Sequence, residues 1–82
     1  MRKRPVVSGE KLLKVLVRLG YEIIRQRGSH VRLRKLTAAG DHNITVPLHD
    51  ELAKGTLNDI FSQVSIWNGI SEDALIEMIK QS

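Results

Sequence analysis

Apolar residues recur at a helical period early in the chain, switch to a period of two, and return to the helical period. Leu12, Leu13, Val15, Leu16 and Leu19 follow helical spacing, with Lys11, Lys14 and Arg18 on much of the other face. Ser8 suits an N-cap, Glu10 complements the positive end of the dipole, and Gly20 suits the position past the last turn. A helix over residues 9–19 is predicted.

Two β-favourable runs follow, Tyr21-Glu22-Ile23-Ile24-Arg25-Gln26-Arg27 and Val31-Arg32-Leu33-Arg34-Lys35, joined through Gly28-Ser29-His30. Glycine supplies the positive φ that a II′ turn needs first, so a hairpin with a Gly28-Ser29 loop is predicted. That register pairs Arg27 with His30, Gln26 with Val31, Arg25 with Arg32 and Ile24 with Leu33. Side chains alternate along a strand. One face therefore carries Arg25, Arg27, His30, Arg32 and Arg34, with Ile23 at its end. The other carries Ile24, Val31 and Leu33, with Gln26 and Glu22 towards its edges, and Lys35 alternates to that side.

Residues 36–43 are small, polar and turn-forming. Ile44-Thr45-Val46-Pro47-Leu48 alternates as a third strand, and Pro47, which has no N–H, points to a sheet edge. After a polar connector from His49 to Thr56, Leu57, Ile60, Phe61 and Val64 predict a helix over 54–64. Residues 65–70 are expected to break it. Ser71 then caps a last helix over 71–80, with Glu72 and Asp73 in its first turn.

The order α-β-β-β-α-α predicts an α+β fold, a three-stranded antiparallel sheet with helices packed on one face. The helices are expected to rest on Ile24, Val31, Leu33, Ile44 and Val46, leaving the His30 face open. One domain over residues 1–82 is expected, with residues 1–7 as a flexible basic lead-in.

Charge sharpens this picture. Residues 1–35 hold eleven Lys/Arg against two acids, and residues 36–82 hold two against seven. The cations also align on one strand face, which favours a polyanion partner over chance clustering. The absence of cysteine excludes disulfides and thiolate metal sites. No apolar run is long enough to span a bilayer, and the basic start has no apolar region behind it. A cytoplasmic protein without a membrane partner is expected.

On the residues alone, His30 reads equally as a base set among guanidinium groups and as an exposed turn residue. Neighbouring cations favour the neutral imidazole that a base requires. Ser29 alternates away from His30, so the two are not a nucleophile–base pair; Ser29 reads as a turn former able to donate to a phosphate. His42 reads as a solvated loop residue, and His49 as a connector residue or a neighbour of the His30 site. Asp41, His42, His49 and Asp50 lack a metal-ligand spacing, so no metal or other cofactor is expected. Trp67 reads as packing between the last two helices, with a partner anchor as the alternative.

Several fragments in order carry a family resemblance: Ser8-Gly9-Glu10-Lys11-Leu12-Leu13, Leu19-Gly20-Tyr21-Glu22 and Arg25-Gln26-Arg27-Gly28-Ser29-His30. Val46-Pro47-Leu48-His49, Lys54-Gly55-Thr56-Leu57 and Gly69-Ile70-Ser71-Glu72-Asp73 continue the set. The chain resembles the HicA-like (YcfA-like) mRNA interferase toxins of type II toxin–antitoxin systems. The resemblance implies a double-stranded-RNA-binding-domain-like fold, metal-independent cleavage of single-stranded mRNA and a HicB-like antitoxin partner. It assigns catalysis to the His of the Gly-Ser-His motif, here His30, and RNA binding falls to Arg25, Arg27, Ser29, Arg32 and Arg34. Two features depart from the family. Leu33 stands where the family often has an aromatic residue, and residues 65–68 look like extra sequence.

The alternatives are a non-catalytic RNA-binding module and a protein-interaction domain. A duplex-RNA binder needs cations at the second helix, but Lys54 there lies beside Asp50, Glu51 and Asp59. A helix-turn-helix DNA reader is disfavoured by Asp59, Glu72, Asp73 and Glu77 on the last two helices. An interaction surface is compatible with a toxin, which must itself be bound by its antitoxin.

Overall fold

The computed structural model describes residues 6–82. Its elements are α1 (Gly9–Arg18), β1 (Glu22–Arg27), β2 (His30–Thr37), β3 (Gly40–Pro47), α2 (Lys54–Asn68) and α3 (Glu72–Gln81). The predicted α+β order and the antiparallel sheet are both present, with strands arranged β1-β2-β3. Ser8 caps α1 by accepting from the Lys11 N–H at 3.1 Å, and Ser71 caps α3 by accepting from Ala74 N–H at 3.1 Å.

Helices cover one face of β2 and β3. Val31, Leu33, Ile44 and Val46 meet Leu12, Val15 and Leu16 of α1, Leu57, Ile60, Phe61 and Val64 of α2, and Leu75, Ile76 and Ile79 of α3 in one core. Full burial of each such side chain is worth roughly 1.5–3 kcal/mol. The contact of α1 with β3 is close enough to exclude any side chain at Gly9. A Cβ there would lie 2.0 Å from the Pro47 carbonyl oxygen.

Three expectations need correction. Ile24 does not pair with Leu33: Ile23 does, and Arg25 pairs with Arg32, so Ile24 is an extra residue bulged out of the ladder. Edge strands favour bulges, and β1 is an edge that the helices do not cover, exposed along its whole length. Ile24 is therefore 47% exposed instead of packed under a helix. The bulge also exchanges faces, setting Ile23 on the Leu33 side and Glu22 opposite Arg34.

The stretch from 36 to 43 is mostly strand, not turn. β2 and β3 pair without interruption from His30↔Pro47 to Thr37↔Gly40, leaving only Ala38-Ala39 as the loop. Thr37 Oγ1 closes that loop, donating to Gly40 O at 2.8 Å and accepting from Ala39 N–H at 3.1 Å. α2 likewise runs on through Asn68, because Gly69 takes the left-handed conformation that stops a helix only there (φ 64°). Of the expected flexible lead-in, residues 1–5 lie outside the described residues. Val7 is buried, and its carbonyl accepts from Leu52 N–H at 2.8 Å.

Candidate functional site

The hairpin loop is Gly28-Ser29, as the sequence predicts. Gly28 has φ 59° while no non-glycine residue among the described residues has positive φ, the combination of a II′ turn. The loop hands the chain into β2 at His30, which pairs with Arg27 on one side and Pro47 on the other. The next rows across the open face are Arg25, Arg32 and Thr45, then Glu22, Arg34 and Asn43. Pro47 sits in an edge strand, consistent with its missing N–H.

His30, Arg25, Arg27, Arg32 and Ser29 are all exposed at this end of the sheet. Arg25 lies directly opposite Arg32, an arrangement of like charges that weakens a strand pair. Packing gives no reason for it. Arg34 differs, because its Nε donates to Asp41 Oδ2 at 2.9 Å in a half-exposed ion pair. Lys35 faces the helices, and its Nζ donates to Asn68 Oδ1 at 2.5 Å. A groove of about 390 Å³ lies at the opposite end of the β2–β3 hairpin, lined by Leu36, Ala38, Ile66 and Trp67 among others. His30 stands on an open surface instead, where a polymer can lie across it.

His42 is the largest departure from the sequence reading. It is 3% exposed, inside the fold on the same face as Ile44 and Val46. Its ring stacks on Trp67 with centroids 4.9 Å apart and planes within 7°. Trp67 thus seals α2 against β3 instead of packing between the last two helices.

The hydrogen bonds around His42 fix its tautomer. Gln63 Nε2 donates to Asp59 Oδ2 at 3.1 Å, leaving Gln63 Oε1 to accept from His42 Nε2–H across a long 3.4 Å. His42 Nδ1 then accepts from the Tyr21 hydroxyl at 2.6 Å. That hydroxyl in turn accepts from Asn68 Nδ2 at 2.9 Å. Burial pushes the Tyr21 phenol above its ordinary value, and the hydrogen bond from Asn68 offsets this only in part. With both ring nitrogens used and Asp41 on the opposite face beside Arg34, His42 does not join a metal cluster. Among the described residues no group of three His, Cys, Asp or Glu is placed to hold a metal ion.

The buried cluster had a signal in the sequence. His42 stands two residues before Ile44 on the same strand period, and Trp67 stands three after Val64 on the same helical period. Carried to these two residues, the strand and helical periods place both on the buried faces.

A family model described as the HicA toxin of bacterial toxin–antitoxin systems matches residues 9–66. The chain belongs to the HicA toxin family. No curated protein and no solved structure matches it. The HicA match begins at the glycine that touches β3, contains the whole sheet with His30, and ends within the last turn of α2. The four residues that looked like extra sequence are part of α2, and the HicA match reaches the second of them, Ile66. As a HicA family member the chain is a toxin component of a toxin–antitoxin system. No helix among the described residues is long and apolar enough to cross a membrane.

Proposed function

We propose that this toxin is an endoribonuclease that cleaves mRNA, with His30 as the general base. The observation that carries the reading is the placement of an exposed imidazole at the head of an arginine-lined open sheet face, inside the HicA-matched span. RNA brings its own nucleophile. His30 takes the 2′-hydroxyl proton, the 2′-oxygen attacks phosphorus, and the 5′-oxygen leaves. The products are a 2′,3′-cyclic phosphate and a 5′-hydroxyl.

Arg25, Arg27 and Arg32 meet phosphates and the charge that develops on the phosphorane. Arg34 joins them by exchanging Asp41 for a phosphate, and Ser29 donates its hydroxyl at the turn. The chemistry asked for is a base and positive charge, which these side chains supply without a metal ion. A HicB-like antitoxin is the protein partner, the substrate is single-stranded mRNA, and the site of action is the cytoplasm.

The test is cleavage of single-stranded RNA by the purified, partner-free protein in the presence of a chelator. Wild type is expected to cleave, and His30→Ala to lose at least the roughly 10²–10⁴-fold of a positioned base. A folded His30→Ala protein cleaving at the wild-type rate refutes the assignment. Cleavage that chelator abolishes and a metal ion restores refutes the metal-independent mechanism.

A further inference from the structure

We propose that His49 is a second catalytic residue, the general acid that protonates the leaving 5′-oxygen; this rests on reading His30 as the base. The register of the β2–β3 pair brings the two histidines together. His30 pairs with Pro47 at the last rung of β3. The ladder nevertheless continues past that rung, because Leu48 N–H donates to Ser29 O at 2.6 Å. Leu48 packs against the core, so the residues on either side of it, Pro47 and His49, belong to the opposite, open face. His49 is then the diagonal neighbour of His30, a relation that sets residues about 7–8 Å apart across an antiparallel pair.

The backbone of His49 is held at that point. Its carbonyl accepts from Gly9 N–H at 2.9 Å, at the start of α1. Its side chain is exposed, like that of His30. Two imidazoles on one face with a gap between them can flank a phosphodiester, each within about 3 Å of one apical oxygen. The charged neighbours of the two differ. Arg27 and Arg25 share the face of His30, whereas Asp50 and Glu51 follow His49 and Glu10 lies in the adjoining first turn of α1.

The step balances without a further reagent. His30 accepts the 2′-hydroxyl proton as the 2′-oxygen–phosphorus bond forms. The bond from phosphorus to the 5′-oxygen breaks, and that oxygen takes the proton from His49. Water then returns a proton from His30 to His49.

An RNA with sulfur in place of the bridging 5′-oxygen separates the roles, since a thiolate leaves without an acid. His49→Ala and His49→Gln are expected to lose roughly 10²–10⁴-fold on ordinary RNA and to cleave the sulfur-linked RNA near the wild-type rate. His30→Ala is expected to be slow on both. Equal losses for His49→Ala on the two substrates, or a wild-type rate on ordinary RNA, overturn the acid while leaving the base in place. A wild-type rate for His30→Ala overturns the base instead.

Discussion

His42→Ala should destabilise this protein heavily, although a histidine is usually a surface residue. The substitution leaves the buried Tyr21 hydroxyl without the acceptor that lies 2.6 Å away. An orphaned buried polar group costs about 1–3 kcal/mol. It also removes a ring stacked on Trp67, worth about 0.5–1.5 kcal/mol beyond area. Together these give about 2–4 kcal/mol, a large part of the total of a small domain, which is about 5–15 kcal/mol. At 4–8 °C for each kcal/mol in a domain of this size, the midpoint should fall by roughly 10–30 °C.

Far-ultraviolet circular dichroism during heating and urea titration measures the effect without relying on Trp67, whose surroundings change. Replacing both partners, Tyr21→Phe with His42→Phe, should cost less than the sum of the single changes, because the pair is removed together. A His42→Ala protein within about 0.5 kcal/mol of wild type, the range of a surface substitution, refutes the network as a structural element.

Arg32→Gln should lower the slope of log affinity for RNA against log salt by about one unit. The same change should leave stability equal or higher, since it relieves the charge opposite Arg25; unchanged binding and salt slope remove Arg32 from the site. Gly9→Ala should destabilise by about 1–3 kcal/mol or more in urea titration, because its Cβ would meet the Pro47 carbonyl at 2.0 Å. Tyr21 is raised in the folded state, so its contribution is fully present below the unfolded value of about 10 and declines as pH rises through the folded one. Alkaline titration of stability should show that loss in wild type and not in Tyr21→Phe.

The helices were legible because capping and periodicity act locally. Ser8 and Ser71 announce their helices, and the structure shows both serines accepting the bonds expected of them. The Gly28-Ser29 loop was legible for the same reason, as were the three pairs nearest to it. Legibility failed where a distant partner decides. Ile24 carries no local mark of a bulge, and its exposure follows from the absence of a helix over β1. Residues 36–43 look like loop because Gly, Asp and Asn disfavour strands, but the β2–β3 pairing carries through them to the tight Ala38-Ala39 turn, which the Thr37 bonds close. His42 was misread for this reason alone.

A single register sorts all three histidines. The pairs from His30↔Pro47 to Thr37↔Gly40 put even-numbered residues of β2 and odd-numbered residues of β3 on the open face. His30 is even on β2 and lies outside. His42 is even on β3 and lies inside, opposite Lys35. On the proposal above, His49, two residues past Pro47 and beyond the end of β3, extends the outer row. A slip of one residue exchanges the faces of an entire strand, so it would expose His42 and turn Pro47 towards the helices. The fold opposes that slip at both ends of the hairpin, through the Thr37 bonds at the Ala38-Ala39 loop and through Gly9 seated on Pro47. The core and the candidate site are therefore set by the same constraint: whatever holds Ile44 and Val46 against the helices also holds His30 out among the arginines.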